Sequence, residues 1–525
     1  MSRISLLLSR SILTIAASVI VAGSVSAAPS EKSIKQSMQR TLETFQVPGM
    51  SVSVVRDGAV YFSGGAGILE IGKDARVDDQ TLFQIGSVSK AFTAATLALL
   101  ADEGKLSFDD RVIDHLPEFR MYDAWVTREF TIRDLLTHRS GLPIGAGDLL
   151  MFPEGKTTRD EVIHAMRYLK PSSSFRYHFD YDNMLYIIAG EVVARVSGMP
   201  FEEFLEQRLL FPLGMQDCAA TLDRAPAQAS KATPHVLVDG QLQTTGSGVT
   251  SLISAAGGIN CSARSMTHWM SFVLNKGLTA EGKQLISAAQ FEQLLSPVTL
   301  LPTSPDMAEH AGAYLSAYAL GWGISTFYGQ PMVSHSGGVW GMTTYLMVLP
   351  KQGLAIFASC NQLSAAPRAI VNELADQFLA GTSKFAGQDW IALISKMSQG
   401  RQDEAAKVVA AAEAARAADS RPSLPLEAYA GTYRDDWYGD IHIELGGDGS
   451  LRFRSERNEP LNGPLEHFQY DTFIARWTDR KLMADAYVSF SLSPEGKVER
   501  IRMKAVSPAT DFSFDFHDLD LKRVE

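Results

Sequence analysis

The sequence predicts an α+β fold carrying an additional small all-β domain at its C-terminus, and three observations carry that prediction. Strand-like stretches at 51–67 (SVSVVRDGAVYFSGGAG) and around 318–359 flank a long middle in which apolar residues recur at helical spacing. Beyond about residue 380 the composition changes to an Ala-rich charged stretch, DEAAKVVAAAEAARAAD, which reads as a helical linker. From 426 onward apolar and polar positions alternate between Gly-Asp-Gly and Pro-Glu-Gly turns, the pattern of an antiparallel meander or small barrel whose last strand is DFSFDFHDLDL. A chain of 525 residues with 46% apolar content can bury several cores. The expected division is 1–27, 28–380, 381–424 as linker and 425–525 as barrel.

The first 27 residues read as an address. Arg3 and Arg10 precede the uncharged run SILTIAASVIVAGSVSAAPS, which ends in the small-residue pattern Val25-Ser26-Ala27. Cleavage after Ala27 and export to the periplasm or medium are expected, with an uncleaved anchor as the alternative. There is no Cys at the junction to take a lipid. No later run is long and apolar enough to span a bilayer, so no stable membrane insertion is expected after cleavage.

Three motifs carry chemistry. Ser87 and Lys90 stand three residues apart at the head of AFTAATLALLADEGKLS, so a helix starting there brings an amine beside a hydroxyl. Serine must lose its proton as it attacks, and a lysine can assist only if burial pulls its pKa down. Tyr181-Asp182-Asn183 lies directly before a helix-spaced run from Met184 to Val196, so phenol and amide can enter one cavity. Val333-Ser334-His335-Ser336-Gly337-Gly338 sits in β-rich surroundings, on a strand entering a Gly turn, where backbone N–H groups are free to receive an oxyanion.

In order and separation these motifs resemble the serine β-lactamase and penicillin-binding-protein superfamily, whose pattern is S-x-x-K, S/Y-x-N and K/H-S/T-G. The Tyr in the second motif and the His in the third are similar to the class C β-lactamase branch, the CubicO-type hydrolases. LLTHRSGLP (135–143), SGMPFEEFLEQRLLFPLGM (197–215), AAGGINCSARSMTHWM (255–270) and YALGWGI (318–324) agree, so the resemblance covers 31–380. It implies that Ser87 is the acylated nucleophile, Lys90 its proton-shuttling partner and Tyr181 the general base that protonates the leaving group. Asn183 would orient Lys90 or a substrate amide, and the N–H groups of Ser87 and Gly338 would form the oxyanion hole. His335 joins the catalytic set, with Ser336, Gly337 and Trp340 lining the substrate site. The resemblance further implies an antiparallel sheet flanked by the first and last helices, a mostly helical lobe over 105–300, and Ser87 in the cleft between them. Residues 299–317 then read as a cleft-flanking insertion. The tail is similar to the lipocalin-like domain of some relatives, where such domains shape the cleft entrance or the oligomer; a filled barrel is at least as consistent with the pattern as a ligand-holding one.

Departures from the pattern bear on substrate. His335 replaces the usual Lys, so the fixed charge that attracts a substrate carboxylate is weakened. Gly145 stands where class C enzymes place an amide-bearing Gln. Arg368 is the candidate replacement cation, although a surface position at a helix start accounts for it. A net charge of −11 with no basic run argues against nucleic acid as a partner. No Cys/His spacing implies a metal, and no cofactor is expected. Three cysteines permit at most one disulfide, and Cys218, Cys261 and Cys360 each sit in apolar context, where a buried thiol is the default. The expected function is therefore an exported serine hydrolase forming an acyl-enzyme on Ser87, a peptidase or amidase acting on small or linear peptides. A carboxylesterase or weak β-lactamase is the alternative within that class. A non-catalytic penicillin-binding or cell-wall sensor is the alternative outside it, and the intact Ser87, Lys90 and Tyr181 set favours the enzyme. A homo-oligomer through the C-terminal domain is also expected.

Overall fold

A computed structural model describes residues 28–246, 248 and 250–524; the expected signal segment, 1–27, lies outside the described residues. Helix α1 (Glu31–Phe45), capped by the Ser30 hydroxyl, leads into β1 (Gly49–Arg56) and β2 (Ala59–Gly67). Then come α2 (Ser89–Asp102), α3 (Met184–Ser197) and α4 (Ala263–Leu274). Strands β3 (Thr299–Leu300), β4 (Ser316–Tyr318), β5 (Gly323–Phe327), β6 (Gln330–Val339), β7 (Met342–Leu349) and β8 (Leu354–Cys360) return, followed by α5 (Ala366–Phe378). The eight strands form one antiparallel sheet in the order β2-β1-β8-β7-β6-β5-β4-β3.

Strand alternation sets which side packs on what. Met50, Val52 and Val54 of β1 point into a core with Ile34 and Met38 of α1 and Ile370 and Leu374 of α5. The opposite face is small, with the Ser51 and Ser359 hydroxyls hydrogen-bonded at 3.0 Å, and α4 packs there. The expected 299–317 insertion is instead sheet edge: β3 and β4 pair there around a short helix, Pro305–Ala311. Strands of two and three residues are too short to show a period in sequence. Gly337 and Gly338 also lie inside β6 rather than at its turn, which is Trp340-Gly341, with Gly341 at φ +77°.

Helix α6 (Trp390–Ala414) joins this body to a closed antiparallel barrel. Trp390 anchors the helix by donating from Nε1 to the Tyr328 hydroxyl at 2.9 Å. The barrel strands are β9 (Gly431–Asp435), β10 (Gly439–Leu445), β11 (Leu451–Ser455), β12 (Asn462–Gln469), β13 (Thr472–Ala475), β14 (Ala486–Leu492), β15 (Val498–Ala505) and β16 (Leu521–Arg523). Tyr433, Ile441, Phe453, Phe473, Val488 and Ile501 are buried, so side chains fill the barrel. The expected strand DFSFDFHDLDL is mostly not one: only Leu521–Arg523 pairs, and 506–515 leaves the barrel as a loop. Its aromatic residues recur every second position because they fill separate niches, which mimics a strand's period.

The cysteines take the one disulfide that three allow, so the buried-thiol default holds only for one of them. Cys218 and Cys261 form a disulfide, while Cys360 remains a buried thiol. The bridge closes a segment of 43 residues within the helical lobe. Loop-closure entropy for that length is about 3–4 kcal/mol. Cys218→Ala together with Cys261→Ala is therefore expected to lower the thermal unfolding midpoint, and dithiothreitol is expected to have no further effect on that variant. Equal midpoints for oxidised wild type and the double variant would remove the bridge from the stability account.

Candidate active site

Ser87 lies in a single 3-10 turn, Gly86–Val88, that runs straight into α2. Helix α2 is rich in Ala and Leu and apolar on all sides, so twelve of its fourteen residues are buried, Lys90 among them. Gly86 adopts φ +52°, and a Cβ there would stand 2.5 Å from the Gly338 amide nitrogen. A Cβ on Gly337 would stand 2.0 Å from the Ile85 carbonyl oxygen. The two glycines thus let the Ser87 turn lie directly on β6. Strand β5 pairs with β6 only as far as Ser334, so the 335–339 stretch has no strand on that side.

The Lys90 ammonium nitrogen is 3.1 Å from Ser87 Oγ, 2.7 Å from Asn183 Oδ1 and 2.9 Å from the Ala256 carbonyl oxygen. It also faces the rings of Tyr181 and Tyr186, at 4.7 and 5.1 Å from their centroids. Ala256 belongs to a π-helical turn, Ser254–Gly258. Burial lowers the Lys90 pKa to about 7, against the pull of Asp148 and Asp182 in the other direction. Burial raises the Tyr181 phenol well above its ordinary value, against the nearby Ser87 hydroxyl, which favours the ionised form. At neutral pH the phenol keeps its proton and the amine is partly free of its own.

Asn183 stands at the mouth of α3 and is fixed from both ends. Its Oδ1 accepts from Lys90, and its Nδ2 donates to Asp148 Oδ2 at 2.9 Å. Because Asp148 presents only oxygens and Lys90 only a nitrogen, this amide orientation satisfies both neighbours. His138 lies behind Tyr181 with ring centroids 4.2 Å apart. Its Nδ1 accepts the Asp182 amide N–H at 3.1 Å, which leaves its proton on a buried, unpartnered Nε2.

His335 is engaged through both ring nitrogens. Nδ1 donates to the Ser336 carbonyl oxygen at 2.6 Å, and Nε2 accepts from the Tyr318 hydroxyl at 2.8 Å. Burial, then the charge of Lys90, push its pKa down to about 4. It is neutral at pH 7, and neither nitrogen is free to bind a substrate carboxylate. Arg368 is partly exposed at the start of α5 and does not line the cleft, so it supplies no replacement cation there.

A cleft of about 310 Å³ opens onto Ser87. Tyr181, Asn183, His335, Ser336, Gly338 and Trp340 line it, as expected, whereas Gly337 packs beneath Ile85. Trp340 both lines the cleft and packs on Phe152, 5.2 Å away. The far wall comes from the barrel: Asp511, Phe512 and Ser513. Phe512 fills the space beside Gly145, where a Cβ would stand 2.7 Å from the Phe512 carbonyl oxygen. An amide-bearing side chain at 145 has no room because the barrel occupies its place.

A family model, "Beta-lactamase", matches residues 34–380, and "Domain of unknown function (DUF3471)" matches 415–523. The chain belongs to the Beta-lactamase family. It is 26% identical over 497 residues to the Unguisins hydrolase ungD' of Aspergillus campestris (strain IBT 28561), covering 89% of this chain and 88% of that one. It is 25% identical to the Protein flp of Staphylococcus aureus (strain NCTC 8325 / PS 47), over 63% of this chain and 64% of that protein. Among solved structures, the octameric penicillin-binding protein homologue from Pyrococcus abyssi is similar in fold, with a TM-score of 0.60 at 20% identity over 93% of this chain and 99% of that one. SurE is similar with a TM-score of 0.53 at 20% identity, covering 94% and 99%. This Beta-lactamase family member is accordingly a hydrolase with the penicillin-binding-protein-like fold.

Sequence reasoning missed Asp148, Ala256 and the barrel residues. A signal existed for Asp148, a lone acid set against the apolar run Leu149-Leu150-Met151-Phe152. Ala256 acts through its carbonyl and leaves no mark in sequence. The glycine geometry yields a paired prediction. Gly337→Ala is expected to lower the thermal midpoint by several degrees, because the new methyl collides with backbone rather than a movable side chain. Gly338→Ala, whose Cβ meets nothing within 4 Å, is expected to stay within about 2 °C of wild type. Thermal melts of both variants check the contrast.

Proposed function

We propose that this protein is an exported serine hydrolase that cleaves peptide or amide bonds in small or linear peptides through a covalent acyl-Ser87. The observation that carries the reading is the buried Lys90 amine, 3.1 Å from Ser87 Oγ, with its other neighbours Asn183 Oδ1 and Ala256 O both acceptors. In the neutral amine two N–H bonds point at those oxygens, which turns the lone pair to the serine hydroxyl. Lys90 takes the hydroxyl proton as Oγ attacks the carbonyl carbon. The oxyanion is received by the N–H groups of Ser87 and Gly338. Tyr181, which holds its proton, donates it to the leaving amine as the C–N bond breaks and recovers one from Lys90. Water then attacks the acyl carbon by the same route and releases Ser87. The roles differ from those the resemblance implied: the lysine is the base and the tyrosine the acid, because burial moves their pKa values in opposite directions.

A preference for uncharged acyl groups follows from the lining. Met151, Phe152, Ile253, Val339, Trp340 and Phe512 are apolar, and no cation lines the cleft among the described residues. A carboxylated β-lactam finds no charged partner, which supports the amide reading over a β-lactamase one. The name of the fungal relative, a hydrolase of unguisins, supports hydrolysis in general. Export is supported by the Arg3 to Ala27 segment and by the Cys218–Cys261 bridge, since disulfides persist in oxidising compartments. Homo-oligomerisation through the barrel would be read by light scattering; that the Pyrococcus abyssi homologue is octameric supports assembly in general.

Ser87→Ala is expected to reduce turnover of neutral peptide p-nitroanilides by at least about three orders of magnitude and to abolish fluorophosphonate labelling. Retention of a tenth of wild-type turnover would refute the nucleophile. In wild type, kcat/KM is expected to fall about tenfold per pH unit below a midpoint near 7 and to level off above it. The sign follows from the base: acid protonates Lys90 and removes the lone pair. A profile rising toward acid would reject a neutral lysine. Nitrocefin turnover is expected at less than about a tenth of the best neutral amide.

A further inference from the structure

The barrel reaches past the cleft wall into the groups that hold the lysine. Its loop 506–515 sends Phe514 against Phe152 and Trp340, at 5.1 and 6.2 Å, and this seats the next polar side chains in the interior. Ser513, 8% exposed, donates from Oγ to Asp148 Oδ2 at 2.9 Å. Asp515, fully buried, accepts the amide N–H groups of Gly147 at 2.7 Å and Leu149 at 2.9 Å, one on each carboxylate oxygen. Those two amides flank Asp148. The barrel therefore holds both the backbone and the side chain of Asp148, whose Oδ2 in turn fixes Asn183, whose Oδ1 fixes Lys90.

Resting on the reading of Ser87 as nucleophile and Lys90 as its base, we propose that Ser513 and Asp515 of the C-terminal barrel are positioning residues that aim the Lys90 lone pair at Ser87 through Asp148 and Asn183. An Asp148 that loses its two anchors can rotate, and its release lets Asn183 turn its NH2 group toward the lysine. A donor at that position competes with Ser87 for the only lone pair. The barrel is then a part of the catalytic centre, not only a wall that touches substrate. Ser513 also lines the cleft, so its effect on Lys90 is read with a substrate too small to reach that wall, whereas Asp515 does not line the cleft and acts only through the 147–149 backbone.

The titratable groups facing Lys90 are Ser87 on its own turn, Tyr181 and Asp182 before α3, Tyr186 on α3, Asp148, His138 after the 132–135 helix, and His335 on β6. Of these only Asp148 touches Ser513. The hydroxyl of Ser513 favours the ionised form of Asp148, and ionised Asp148 favours protonated Lys90. Removing that hydroxyl moves the Lys90 midpoint to lower pH.

The test uses the full chain and a reporter too small to reach the barrel wall. Rates of fluorophosphonate labelling and of p-nitrophenyl acetate turnover are measured from pH 5 to 9 for wild type, Ser513→Ala, Ser513→Thr, Asp515→Asn and Arg457→Ala. Arg457 is the control for docking alone: it joins the barrel to Thr157 at 2.9 Å, on a different contact. Ser513→Ala and Asp515→Asn are expected to lower the high-pH plateau about tenfold, the effect of one hydrogen bond to a charged group. Ser513→Ala is also expected to move the midpoint down by half a unit or more. Ser513→Thr, which keeps the hydroxyl, should restore both, and Arg457→Ala should change neither. Should Ser513→Ala fail to fold by circular dichroism, Ser513→Cys replaces it, with similar volume and a weak donor. Wild-type plateau and midpoint in the folded Ser513 variant, or the same shift in Arg457→Ala, would overturn the inference while leaving the serine hydrolase reading standing. A wild type that takes no label at Ser87 would overturn that reading itself.

Discussion

The site depends on keeping one primary amine dry. A charged ammonium in an apolar interior is costly unless it is paired and hydrogen-bonded, and the alternative is to give up the proton. Lys90 is offered acceptors, two aromatic faces and carboxyls one layer away, so its pKa settles near neutrality instead of collapsing. Much else follows from that requirement. Helix α2 must be buried on all sides, the 254–258 turn must open its ladder to expose a carbonyl, and the Ser87 turn must lie against β6 with no side chains between. The same dryness pushes the Tyr181 phenol the other way, so the two neighbours are moved in opposite directions by one cause, as the proposed acid and base roles require.

The barrel contributes to this dryness as much as to binding. Phe512 occupies the volume beside Gly145, and Phe514 closes the seam against Phe152 and Trp340. Behind them lie two carboxyls from opposite ends of the chain, Asp148 and Asp515, both pushed well above the usual carboxylate range, Asp515 by burial and by Asp148 itself. A buried acid pair of this kind is tolerable only because backbone N–H groups, an amide and a hydroxyl satisfy it. The filled interior of the barrel fits that role, since a rigid body fixes a protruding loop better than an open cup does.

How much of this could be read in the sequence depended on what each residue does. Ser87, Lys90, Tyr181 and Asn183 were legible because side-chain chemistry at a helix start constrains residue type and spacing together. The sheet and barrel were legible from alternation, and the long strands came out where they were expected. Illegible were the parts that act through backbone or through distance. Ala256 offers a carbonyl, and β3 and β4 are too short to show a period. The loop at 511–516 shows a period of two for reasons of packing and so passed as a strand. The Cys218–Cys261 bridge joins positions 43 residues apart, and nothing in three cysteines of apolar context selects that pair. His335 was legible as a neutral imidazole but not as one with both nitrogens occupied, because nothing in the sequence pairs it with Tyr318, 17 residues away.

Sequence distance also bears on when the site becomes competent. The Ser87–Lys90 contact is local and forms with α2, and the Lys90–Asn183 contact spans 93 residues within the same body. The Ser513–Asp148 contact spans 365 residues, and Asp515 reaches Gly147 across 368. Contacts of such separation form late, since loop closure must be met before they give any return. The Ser87–Lys90 contact therefore closes at little cost in chain entropy, whereas the contacts that hold Asp148 from the barrel close the longest loops in the site and depend on the whole chain being folded.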